Sequence, residues 1–128
     1  MSPDDLWAKA LAAADSARTL LEHGDGDGAT SRAYYAMFNA ARAMLWFVHG
    51  VEPGEAKTHA TVIRRFSKHF VQNGPLDAEY GRLLMEAAQA RMVADYDEAV
   101  GVFVARQRVE AMSRFLDALG KLKDRARS

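Results

Sequence analysis

The chain has 128 residues, with 17 basic and 17 acidic side chains and a formal net charge of zero. That length suits one domain with a real core, and the balanced charge gives no bulk attraction to nucleic acid or acidic membranes, although a local basic cleft is compatible with it. There is no cysteine, which excludes disulfides, thiolate metal sites and cysteine nucleophiles and suits a reducing cytoplasm.

The opening "MSPDD" predicts a helix start, with Ser2 as cap, Pro3 at the first helical position, and Asp4 and Asp5 at the positive end. It is acidic and has no signal-peptide pattern. Leu6, Ala10, Ala13, Ala14, Ala17, Leu20 and Leu21 then form one apolar stripe to about His23. "GDGDGAT", residues 24–30, reads as a flexible connection, because Gly24, Gly26 and Gly28 make a helix costly there. A calcium loop would need later ligands and a final glutamate that this stretch lacks.

A second helix is expected over 30–49, apolar almost all round. Arg32, Tyr35, Asn39 and Arg42 recur on it within an arc of about 80°. A helix apolar on most sides is packed on most sides, so this stripe is either the solvated face or the wall of a cleft or subunit contact. Tyr35 and Asn39 are unusual solvating residues for an exposed helix. The longest apolar run, residues 43–48, is too short to cross a membrane.

The third helix spans about 58–72, with Val62, Ile63, Phe66 and Phe70 inward. After the turn "NGPLD", Asp77 caps a fourth helix over about 78–95, with Tyr80, Leu83, Leu84, Ala87, Ala88 and Met92 at inward spacing. Arg91 continues that apolar face, where an unpaired charge is expensive, and Asp95 one turn on is its expected partner. The pair is either a structural tie or a guanidinium offered to a phosphate. "DYDE" is a short interruption in which Asp97 caps a fifth helix, buried through Val109, Met112, Phe115, Leu116 and Leu119.

His23 and His49 stand at helix ends, where caps and dipole partners are usual, and His59 and His69 lie on the third helix. No pair has metal-site spacing, so neither a metal nor a cofactor is expected. The pattern predicts an all-α, up-down antiparallel bundle of four to five helices. It forms a single domain, with a core over about 6–119 and a basic tail at 120–128.

"SRAYYAMFNAARAML", "KTHATVIRRFSKHFV" and "ARMVADYD", in this order and spacing, resemble the HEPN superfamily, and its small single-domain bacterial and archaeal members in particular. The resemblance covers nearly the whole chain. It implies a helical bundle, commonly a homodimer packed face to face, often encoded beside a minimal nucleotidyltransferase and paired with it as toxin and antitoxin. It also implies a polar cleft between helices two and four, lined by Arg32, Tyr35, Asn39, Arg91, Asp95 and Tyr96. Catalytic members share a late R-x(4–6)-H motif that cuts RNA without a metal. Here Arg91 is followed at those spacings by Tyr96, Asp97 and Glu98, with no histidine. Moving the proton of a 2′-hydroxyl near neutral pH suits histidine and not an unperturbed tyrosine. The expected role is thus a cytoplasmic binding and assembly module acting on RNA- or nucleotide-related systems, away from membranes. The alternatives are a divergent endoribonuclease using Arg91 with Tyr96 or His59, and a nucleotide-binding or purely structural dimer.

Overall fold

Ser2 starts the first helix as its sequence requires. Its hydroxyl accepts the Asp5 N–H while the Asp5 carboxylate accepts the Ser2 N–H, so α1 (Pro3–Glu22) begins in a capping box. The computed structural model describes residues 1–96 and 99–127. Among them are α1, α2 (Gly26–His49), α3 (His59–Phe66, continued by a π-helical segment Ser67–Gln72), α4 (Ala78–Tyr96) and α5 (Val102–Arg127), with no strand. The fold is all-α, as expected. Residues 120–127 continue α5 as helix. The expected cap at Asp97 lies outside the described residues.

α2 is the central strut and packs against the other four helices. It and α1 bury mainly alanine on facing sides, including Ala10, Ala14, Ala17, Ala33, Ala36 and Ala40, each at most 1% exposed. Short side chains let two helix axes approach closely. Larger groups, among them Phe66, Phe70, Phe115 and Leu84, close the core from α3, α4 and α5.

Side-chain pairs fix the directions. Asp4 meets Lys123 and Arg127 while Arg18 meets Ser113, so α1 opposes α5. Arg91 reaches Tyr35 and Glu79 reaches Arg114, so α4 opposes α2 and α5. α3, however, runs in the same sense as α2, because His59 stacks on Phe38 and His69 on His49. The link 50–58 makes this possible. It leaves α2 through left-handed Gly50, folds back along the helix and buries Val51 and Ala56 on the way. The return carries His59 to the middle of α2, beside its polar stripe.

Two local expectations are corrected. Residues 26–30 are not a flexible connection but the first turn of α2, capped by the Asp25 carboxylate on the Gly28 N–H at 2.8 Å. The glycine penalty is outweighed because Gly26 is buried where the chain at Val100 comes too close for any side chain. Met92, expected inward, is 59% exposed, because α4 buries only Leu84 and Ala87 fully and carries apolar groups on its outer side as well.

Candidate functional site: a guanidinium and aromatic cluster

The polar stripe of α2 faces α4 and the start of α3. Its tyrosine and arginine side chains are long enough to reach both. Tyr35, Asn39 and Arg42 are half-buried, while Arg32 at the edge is exposed. Arg91 of α4 donates from Nη2 to the Tyr35 hydroxyl at 3.0 Å and lies over the Tyr35 ring, 5.4 Å from its centroid. Arg32 lies over the same ring at 5.4 Å. Asp95 supplies the expected counter-charge, with Oδ2 at 2.9 Å from Arg91 Nε. That contact is ionic and off the N–H direction, since Nε is buried without an in-line hydrogen bond. Arg91 and Asp95 keep side-chain exposures of 23% and 30%, so the pair is partly open to solvent.

Behind Tyr35 lies an aromatic stack. His59 stacks on Phe38, with centroids 4.3 Å apart, and meets Tyr35 edge-on at 6.0 Å. Arg42 lies over the far ring, 5.5 Å from Phe38, and also donates to Asn39 Oδ1 at 3.3 Å. Tyr34, on the buried apolar side of α2, is a residue that the helical pattern does not flag. Its hydroxyl is 2.7 Å from His59 Nδ1. Burial pushes this phenol up to about 12, against a smaller opposing pull from Arg91 and with a small addition from Tyr35. A buried phenol that stays protonated needs an acceptor, and Nδ1 is the one at hand. Tyr34 therefore donates, and His59 carries its own proton on Nε2.

Burial, then the charge of Arg91, then that of Arg42 hold His59 below its ordinary value of 6.5. A base depressed in the folded state contributes stability that is complete above about pH 6.5 and is lost as pH falls through the lowered value. An NMR titration should place the His59 midpoint below 6.5, and Arg91→Met should move it upward. A midpoint unmoved by that substitution contradicts the arrangement.

Tyr96 does not join the cluster. Five residues after Arg91 on a continuous helix, it is turned about 140° away, and it is 77% exposed. Met92 and Val93 are exposed beside it, and at the start of α5 Phe103 is 71% exposed and Val104 49%. These side chains leave apolar surface uncovered at the C-terminal end of α4 and at the start of α5. His23 caps its helix through the Thr19 carbonyl, whereas His49 instead stacks on His69. Among the described residues no group of three or more His, Cys, Asp or Glu side chains is placed to hold a metal ion, and no helix is long and apolar enough to cross a membrane.

Chemically, three guanidinium groups (Arg32, Arg42 and Arg91) surround one aromatic cluster in which Asp95 is the carboxylate in contact. The excess positive charge suits an anionic group, and the planar Arg91 fork, already oriented, suits a phosphate.

A family model described as "HEPN domain" matches residues 4–123. The chain is similar to "UPF0332 protein PH1297" of Pyrococcus horikoshii, 44% identical over 69 residues, 54% of this chain and 46% of that protein. It is similar to "Putative toxin MJ0605" of Methanocaldococcus jannaschii, 37% identical over 81 residues, 63% of this chain and 58% of that protein. A third relative, "UPF0332 protein glr0978" of Gloeobacter violaceus, is 35% identical over 101 residues, covering 77% of each chain. The first two matches span about half the length of those relatives.

Proposed function

The chain belongs to the HEPN family, and from that premise we propose that it is a binding and assembly module. Two copies associate through the exposed apolar residues at the end of α4 and the start of α5, and the dimer works with a nucleotidyltransferase-type partner in a toxin–antitoxin-like pair. The relatives that carry "Putative toxin" in their names support the setting. The nucleotidyltransferase comes from family analogy. The observation that carries binding over cutting is the Tyr34–His59 contact at 2.7 Å. It occupies the ring nitrogen that would take a proton, while the guanidinium groups of Arg32, Arg42 and Arg91 stay gathered on the Tyr35 and Phe38 rings.

The second reading is a metal-independent endoribonuclease. It is favoured by the single aromatic ring, Tyr35, that separates His59 from Arg91. Incubating the pure protein with RNA in EDTA, beside Arg91→Ala and Tyr34→Phe, separates the two. The binding reading predicts intact RNA in every lane. Cleavage by the wild type that Arg91→Ala abolishes establishes the nuclease instead.

A further inference from the structure

α3 ends in six residues of π-helix, Ser67–Gln72, a rare winding that often marks functional sites. The Asn73 N–H reaches back five residues to the Lys68 carbonyl at 3.0 Å. In this segment His69 lies against His49, with 4.4 Å between ring centroids and 30° between planes, and His49 stands edge-on to Phe70 at 5.1 Å.

Two depressions share His69 as a wall. One, about 350 Å³, has apolar sides from Val48, Phe70, Pro75 and Leu122, and both imidazoles, Asn73 and Arg125 also line it. The other is lined by Arg64, Arg65, Lys68 and His69. None of these three cations has a carboxylate partner among the described residues. The sequence also has no acidic residue between Glu55 and Asp77. In a chain of zero net charge, uncompensated positive charge is gathered here beside an aromatic-walled apolar slot.

We propose that this end of the bundle is a second binding site, for a small organic phosphate of mononucleotide class. Its flat ring enters the slot against His49 and His69, and its phosphate lies on Arg64, Arg65 and Lys68. A slot of this size and lining, with a few convergent polar groups, is what such a ligand needs. Planar rings gain from stacking on aromatic side chains whatever their sequence identity, and Arg and Lys bind phosphate by charge-assisted contacts. The site is distinct from the Arg91 cluster. His59 and His69 are ten residues apart along one helical run, on the order of 15 Å. It stands or falls independently of the dimer and of the nucleotidyltransferase partner.

The test is an NMR titration of the full chain with 5′-AMP, beside adenosine and inorganic phosphate. AMP should shift the imidazole signals of His49 and His69 and the amides of residues 67–74. It should bind at least about tenfold more tightly than either half-ligand, because only AMP fills both depressions. Arg65→Gln with Lys68→Gln should weaken AMP about tenfold or more without changing thermal unfolding, and His69→Leu should weaken AMP but not phosphate. The inference is overturned if AMP binds no better than phosphate, or if the double variant binds AMP as the wild type does. Shifts confined to the surroundings of Tyr35 and Arg91 overturn it too, placing the nucleotide in the α2–α4 cluster and leaving the proposed function intact.

Discussion

Replacing Gly26 with alanine is expected to destabilise the bundle by about 3 kcal/mol, lowering the unfolding midpoint by on the order of 10 °C. A Cβ at this position would stand 2.0 Å from the Val100 carbonyl oxygen and 3.0 Å from its carbon. Both are backbone atoms, and neither can swing aside. The approach is also pinned from the other direction, because the Val100 N–H donates to Asp27 Oδ1 at 2.7 Å. A methyl group must therefore either push α2 from the chain entering α5 or break that bond. Gly101, one residue on, has open space where its Cβ would fall, so Gly101→Ala should stay within about 0.5 kcal/mol. Thermal melts of the two variants side by side check the claim, and equal midpoints contradict it.

The second large effect concerns association. Phe103→Asp is expected to turn the proposed dimer of 14.1 kDa chains into monomers. Phe103 is 71% exposed and Tyr96 77%, and Met92, Val93 and Val104 are also exposed at these two helix ends. Covering such a phenylalanine contributes about 2 kcal/mol, and forcing a carboxylate into the seam costs at least as much again. The dissociation constant should rise on the order of a thousandfold. The residue makes few contacts within its own chain, so the monomer should melt as before. Sedimentation at micromolar concentration reads the mass directly. A wild type that sediments as a monomer removes the seam, and a Phe103→Asp dimer places it elsewhere.

Much of this architecture is legible in the residues. Val109, Met112, Phe115, Leu116 and Leu119 repeat at helical spacing and are all buried, because burial of a stripe is what the 3.6-residue period encodes. Arg91 and Asp95 are paired as their spacing on α4 demands. What periodicity cannot encode is which neighbour covers a face, or whether any does. Met92 continues an apolar pattern yet points outward, since α4 is apolar on both sides. The start of α2 is hidden because local glycine cost predicts a loop, while the deciding contact, with Val100, comes from residues 74 positions away. Tyr34 looks like core until the 50–58 link folds back and delivers His59 to it. That return depends on the burial of Val51 and Ala56, a tertiary event with no local signature. The missing motif histidine is legible, but the Tyr34 hydroxyl that meets His59 is not.

Arg91 is proposed to hold a partner or its anionic group rather than to cut RNA. The most direct measurement is co-expression of the tagged chain with the proposed nucleotidyltransferase-type partner. Wild type and Arg91→Met are purified in parallel, with thermal melts to confirm that both are folded. The wild type is expected to retain the partner through purification, and Arg91→Met, folded to within a few degrees, to retain at least about tenfold less. Equal retention by the two, or none by the wild type, contradicts it.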